Sequence, residues 1–316
     1  MISTVTLNPA LDKTIYISKL IPNDTNRVIS IEVDAGGKGI NCSRMLNRLG
    51  VENLAVTYLG GDTGNFIRMV LEKAGIDVDV VPTARPTRTC IAVEESSNVP
   101  PTTFNERGGP IEHSELVDMI EKVKDISRKS KYVVFGGSVP TGINQDVYKV
   151  LIEIAQAGGA KTVLDADGEA LSEGLKAKPF MIKPNRDEAE RILGVKFESI
   201  ADAARGALSL AERDIELVVI SLGKQGAIAC YENVIYYAVP PEIKVLSTIG
   251  SGDSLISGML WALENGQSVQ DALKAGCAAG AATAMSSGTD IGSKEDIDNL
   301  IGEVKVTVVQ PAPRDQ

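Results

Sequence analysis

Histidine is nearly missing from this chain: one residue, His113, in 316. A zinc centre of several histidines is therefore excluded, and a Ser-His-Asp triad would have to run through that single residue. His113 stands in Pro-Ile-Glu-His-Ser-Glu, where helical periodicity begins, and reads as a surface or cap-adjacent side chain. Aromatic residues make up only 4% of the chain, too few for a platform that stacks single-stranded bases. Positive charge is also short. Lys and Arg number 32 against 42 Asp and Glu, leaving a net charge of −10. That is the wrong sign for a general nucleic-acid binder or a protein lying on anionic lipid. The four cysteines, Cys42, Cys90, Cys230 and Cys277, are too widely spaced for a metal knuckle. Each reads as a small buried hydrophobe, a usage that favours a reducing, cytoplasmic setting. No apolar run approaches the ~18 residues that span a bilayer. The N-terminus lacks the basic and apolar regions of a signal peptide.

What is present is ordinary for a globular protein: 43% hydrophobic and 23% charged residues, with glycine somewhat raised at 30. The length is sufficient for a real core without staples. Short apolar, β-branched runs read as buried strands: Ser3–Leu7, Leu54–Tyr58, Tyr132–Phe135, Thr162–Leu164, Phe180–Ile182 and Leu217–Ile220. Between them, Asn41–Leu49, Asn65–Ala74, Ser114–Ser127, Asp146–Gln156, Asp187–Leu193 and Ile200–Ala211 carry a helical period. This alternation predicts an α/β fold with a mostly parallel, doubly wound sheet, whose ligand site lies beyond the strand carboxyl ends. The Ala- and Gly-rich run Ala275–Met285 reads as a tightly packed helix. Two stretches alternate with period two and stand off this pattern, at Tyr16–Val33 and Thr87–Phe104, the second with a loop holding Pro100 and Pro101. They are expected to form a small β lid over 13–33 and 87–105, with 1–12, 34–86 and 106–308 as the main domain and 309–316 as a frayed tail. A hairpin is expected from Ala227–Cys230 and Val234–Val239 through Glu232-Asn233.

The segment Thr248-Ile249-Gly250-Ser251-Gly252-Asp253-Ser254 precedes one apolar helix face at Leu255, Ile256, Met259, Leu260 and Leu263. Small residues at a helix start expose backbone N–H groups and make an anion site. Asp253 there is either a dipole-compensating carboxylate or a general base. Phosphoryl transfer to a hydroxyl needs that combination of anion donors and a proton acceptor. Ala35-Gly36-Gly37-Lys38-Gly39-Ile40-Asn41 opens a second helix. It is neither a Walker A loop nor Gly-x-Gly-x-x-Gly, which disfavours P-loop kinases and nicotinamide oxidoreductases. Lys38 and Asn41 can bind an anion or hydroxyls, or the glycines can simply make a tight turn. Asp12, after Asn8-Pro9, can hydrogen-bond sugar hydroxyls or serve the turn. Asn185 and Glu188, three apart, suit magnesium held through water, and equally an N-cap with its capping box. Ser221-Leu-Gly223-Lys-Gln-Gly226 follows a strand and can meet a nucleotide through its backbone.

In this order the segments resemble the PfkB (ribokinase-like) carbohydrate kinases from about Ile2 to Val308. Ser247 to Gly258 is similar to the family's C-terminal signature, and Gly36-Gly37-Lys38-Gly39-Ile40-Asn41 to the N-terminal one. Thr6-Leu-Asn-Pro-Ala-Leu-Asp12 and the ending Glu303-Val-Lys-Val-Thr307 resemble the sugar-phosphate kinases of the 1-phosphofructokinase and tagatose-6-phosphate kinase group. The resemblance implies a ribokinase-like sheet with a lid, ATP and Mg²⁺ as cofactors, and phosphorylation of a ketohexose phosphate. Fructose 1-phosphate giving fructose 1,6-bisphosphate comes first; tagatose 6-phosphate or fructose 6-phosphate kinases and a non-catalytic sugar-phosphate sensor are the alternatives. It implies Asp253 as catalytic base, with Gly250, Ser251 and Gly252 as the anion hole. Asp12, Gly37 and Asn41 would hold sugar hydroxyls, while Arg27, Lys38, Arg88 and Ser138 would meet the sugar's phosphate. Lys183, Asn185, Ser221, Gly223 and Gly226 would contact ATP, and Glu188 with Asn185 would organise magnesium through water. Ile249 and Ser251 depart from the small apolar residues common in that signature. No nucleic-acid or membrane partner is implied, and the lid is a possible homodimer surface. Arg27, Lys38, Arg88 and Arg107 are cations able to offset the negative background near one sheet edge.

Overall fold

The computed structural model describes residues 1–95 and 101–311. Its strands are β1 (Ile2–Thr6), β2 (Ala10–Ile17), β3 (Val28–Gly36), β4 (Asn53–Leu59), β5 (Asp77–Pro82), β6 (Arg88–Glu95), β7 (Thr102–Asn105), β8 (Tyr132–Gly136), β9 (Lys161–Asp165), β10 (Met181–Ile182), β11 (Leu217–Ser221), β12 (Ala227–Tyr231), β13 (Val234–Val239) and β14 (Lys305–Val308). One sheet runs in the order β14-β13-β12-β11-β10-β9-β8-β1-β4-β5. From β11 to β5 every pairing is parallel, and β12, β13 and β14 close that edge antiparallel.

β1 and β8 are buried at every position because helices cover both faces of the sheet. Their side chains divide with period two. Val5, Val133 and Phe135 face one core with the helices His113–Ser127, Val147–Ala157 and Ile200–Ala211. Ile2 and Val134 face another with Lys38–Arg48, Ser251–Glu264 and Val269–Ala284. The Ala- and Gly-rich run is that last helix, buried along most of its length. The β12–β13 hairpin turns on Glu232 and Asn233, both with positive φ, as a tight twisted turn requires.

The second sheet, β3-β2-β6-β7, is the expected lid. β2–β3 and β6–β7 are antiparallel, and β2 with β6 is parallel. Its strands reach down to Ala10 and Gly36, past the expected 13 and 33, so Asp12 is itself a residue of a lid strand. The short strands β5 and β14 and the helices Gly168–Gly174 and Lys294–Ile301 are additions to the sequence reading. Pro100 and residues 312–316 lie outside the described residues. Within the expected frayed tail, Val309 still donates to the Ile235 carbonyl at 2.9 Å. Cys42, Cys230 and Cys277 are buried, but Cys90 is only half-buried. It sits on β6 where the lid faces the cleft, so the expected buried role fails there. His113 is exposed at the start of its helix.

Candidate functional site

Parallel strands bring their carboxyl ends to one edge. There β1 runs on to Asn8, β8 to Ser138, β9 ends at Asp165, β10 leads to Lys183 and Asn185, and β11 ends at Ser221. These residues line a cleft of about 880 Å³ between the sheet edge, the start of Ser251–Glu264 and the lid.

Gly250 caps that helix with φ 75°, a left-handed conformation that glycine adopts at no steric cost. The turn places Asp253 in the first helical turn, 6% exposed and lining the cleft. The Asn41 side-chain amide donates to Asp253 Oδ2 at 2.8 Å. Burial, and then the neighbouring Asp165 carboxylate, push the Asp253 pKa up to about 7, against the pull of Asn41, Lys38 and Lys183. Asp165 is itself buried. Lys38 Nζ lies 2.9 Å from its Oδ1 and Lys183 Nζ 3.2 Å from its Oδ2. Burial alone would raise the Asp165 carboxyl, but the two ammoniums outweigh it and hold it below the usual carboxylate range. Burial opposes the Lys38 charge too, and Asp165 overrides that, keeping the amine protonated. A Cβ on Gly252 would lie 3.1 Å from Lys183 Nζ, so this ammonium sits directly over the start of the helix. Helix N–H groups, the dipole and two lysines sharing one counter-ion form a site for a polyanion.

At the other end Asp12 points into the cleft. Its carboxylate packs on Gly36, where a Cβ would fall 1.9 Å from Oδ2, so no other residue fits there without displacing it. Burial lifts the Asp12 pKa to about 6, opposed by Arg88 and Arg44. The Arg88 guanidinium is fixed by three backbone carbonyls, of Pro9 (3.3 Å), Glu106 (2.8 Å) and Asn8 (3.0 Å). The Asn8 amide donates to Ser138 Oγ at 3.0 Å.

Asp12, Gly37, Lys38, Asn41, Arg88, Ser138, Lys183, Asn185, Ser221, Gly250, Gly252 and Asp253 therefore meet around one cleft, and Arg107 lines it too. Ser251, Glu188, Gly223 and Gly226 do not line it. The Ser251 hydroxyl is buried without a hydrogen-bond partner. Arg27 is exposed on the lid at the foot of β3 and also stays outside the cleft lining. Lys38, expected at the sugar's phosphate, lines the cleft and is also paired with Asp165. Asn185 and Glu188 form the capping box: Asn185 Oδ1 accepts from Glu188 N at 2.9 Å and Glu188 Oε2 from Asn185 N at 2.7 Å. Among the described residues no group of three or more His, Cys, Asp or Glu could hold a metal by itself. Asp165 was missed in the sequence, although an acidic residue closing the run Thr162-Val-Leu164 was there to find.

The chain matches the pfkB family of carbohydrate kinases over residues 5–296, and it belongs to that family. It is 34% identical over 309 residues to a 1-phosphofructokinase of Borreliella burgdorferi, covering 97% of this chain and 98% of that protein. A 1-phosphofructokinase of Bacillus subtilis is 31% identical over 307 residues, covering 97% and 99%. The structure of phosphofructokinase-2 from Escherichia coli in complex with substrates and products superposes with a TM-score of 0.91 at 29% identity, over 96% of this chain and 98% of that one. The chain is thus a sugar kinase, a phosphotransferase with an alcohol group as acceptor.

Proposed function

We propose that this chain transfers the terminal phosphoryl group of ATP to fructose 1-phosphate, giving fructose 1,6-bisphosphate. The observation that carries the reading is Asp253: a buried carboxylate with a pKa near neutrality, at the start of an anion-binding helix. Such a group is matched to taking a hydroxyl proton at physiological pH. Asp253 accepts the proton of the attacking hydroxyl. Gly250 and Gly252 at the helix start, with Lys183 above them, take up the charge that develops on the moving phosphoryl group. Lys183, Asn185 and Ser221 line the ATP path. Asp12, Gly37 and Asn41 hold sugar hydroxyls, and Arg88, Arg107 and Ser138 meet the phosphate already present. The lid closes over the cleft and excludes water, which would otherwise take the phosphoryl group.

Magnesium fits the donor set only through water. The Asn185 oxygen and one Glu188 oxygen are taken by the cap, which leaves Glu188 Oε1 as the remaining hard donor; Glu188 does not itself line the cleft, so water would bridge it to the ion. When bound, the ion neutralises charge on the ATP phosphates. A second copy of the chain is proposed to cover the outer lid, where Ile29, Ile31, Val33 and Phe104 are exposed. A cytoplasmic location is proposed from ATP and sugar phosphates as substrates together with four free cysteines. No helix among the described residues is long and apolar enough to cross a membrane.

A second reading, fructose 6-phosphate as acceptor, is favoured by the likeness to the Escherichia coli phosphofructokinase-2 structure in complex with fructose-6-phosphate, with a TM-score of 0.89 at 28% identity. ADP release with Mg-ATP, measured in parallel on fructose 1-phosphate, tagatose 6-phosphate, fructose 6-phosphate and fructose, decides between them. The highest kcat/KM is expected with fructose 1-phosphate. Turnover on free fructose alone would mean that Arg88 and Arg107 do not hold a phosphate. Thermal stabilisation without turnover on any of the four would make the chain a sensor.

A further inference from the structure

Arg44 lies in the helix that opens with Lys38 and does not line the cleft, yet it touches what holds both ends together. Its side chain is 12% exposed. Nη1 donates to the Ala35 carbonyl at 3.2 Å and to the Thr289 carbonyl at 3.1 Å, and lies 3.5 Å from Asn41 Oδ1. Nη2 donates to Asp34 Oδ1 at 3.3 Å. Thr289 in turn donates to Asp34 Oδ2 at 2.6 Å. The two Nη1 hydrogens thus face three acceptors, so the Asn41 contact is a shared, largely electrostatic one.

That contact selects the orientation of the Asn41 amide. The amide oxygen faces the guanidinium and the amide NH₂ faces Asp253. Flipped, the NH₂ would face a cation and the oxygen would face a carboxylate, and both contacts would repel. Asn41 is 7% exposed, so little water reaches it to relieve either clash. Asp34 stands directly across the β2–β3 ladder from Asp12 and is an anchor of Arg44. The guanidinium therefore joins β3, the lid strand paired with the one that carries Asp12, to the amide that donates to Asp253.

We propose that Arg44 is a positioning residue: tethered by the lid through Asp34 and by the 289 loop, it holds the Asn41 amide in the orientation that aligns Asp253. The inference rests on the reading of Asp253 as the base. It predicts that Arg44 acts through Asn41 and on the chemical step, not on ATP binding. The test is a double-mutant cycle of Arg44→Met and Asn41→Ala, with kcat and the KM for ATP read in all four forms. Arg44→Met is expected to lower kcat by about tenfold or more, leave the KM for ATP within about twofold, and cost nothing further in the Asn41→Ala background. Arg44→Lys, which keeps a charge beside Asn41, is expected to recover most of the lost kcat. Should Arg44→Met fail to fold, Asp34→Asn loosens the same tether without opening the packing. It is expected to cause a smaller kcat loss that also vanishes in Asn41→Ala. Unchanged kcat in Arg44→Met, or equal losses in both backgrounds, overturns the proposal. Asp253→Asn, assayed alongside, separates the two readings: retained turnover there sinks the base assignment, whereas lost turnover with additive Arg44 and Asn41 effects sinks only the role of Arg44.

Discussion

At one end of the cleft a buried carboxylate, Asp253, faces two lysines that already share Asp165; at the other, Asp12 faces an arginine committed to three backbone carbonyls. Burial raises both Asp253 and Asp12, to about 7 and about 6. The company differs. Asp253 has a second carboxylate beside it and an amide as its hydrogen-bonding partner, while the cations near Asp12 are guanidiniums. Lysine is a mobile point charge that can turn toward an arriving polyanion, and arginine is a fixed fork that reads shape. The first end is suited to a group in transit and the second to a group that must stay still.

Substitutions separate the ends, beginning with the largest effect. Asp253→Asn is expected to cut kcat by about a thousandfold in a coupled ADP assay, with the sugar KM little changed. Asp165→Asn leaves two ammoniums without their shared carboxylate. Urea unfolding is expected to show a loss of about 3 kcal/mol, the scale for breaking a buried pair from one side. Lys38→Met costs less, because Lys38 is 34% exposed and Lys183 still answers Asp165. Asp12→Asn acts at the sugar end: its KM should rise by roughly ten- to a hundredfold, the range for charged hydrogen bonds to hydroxyls, with a smaller change in kcat.

The pH profile gives a finer separation. A base works only when ionised, and the Asp253 pKa is raised to about 7. Activity should therefore fall as pH drops below about 7, by about tenfold for each further unit. Asp12→Asn should leave this limb in place. Removing the Asn41 amide, which stabilises the ionised form, should move it to higher pH. Cys90→Ser is expected to change the sugar KM by no more than about twofold, since the thiol lines the cleft without carrying charge or moving a proton.

The parallel core was readable because its strands are buried on both faces and announce themselves as unbroken apolar runs, as Tyr132–Gly136 does. The Asp77–Pro82 and Lys305–Val308 strands lie at the sheet edges, where a few alternating residues carry the only signal. In the site, the glycine-rich turns were visible because small residues directly ahead of an apolar helix face leave backbone N–H groups open. Asp253 was visible because a carboxylate among such groups stands out. Asp165, Asp34 and Arg44 were not, because an isolated charge in sequence is indistinguishable from a solvated one until its partner is known. Lys38 shows the same gap from the other side. Its loop was legible, but its partner stands 127 residues away.

The β2–β3 ladder shifts register once, between Tyr16 and Ile17, well outward of the Asp12–Asp34 pair. Inward of that step the pairing is continuous, and a one-residue slip there would turn Asp12 to the opposite face. The bulge takes up one extra residue, Ile29, at the outer end of the ladder, so that the irregularity is confined there and Ala10 to Tyr16 keep one unbroken register across the pair formed by Asp12 and Asp34.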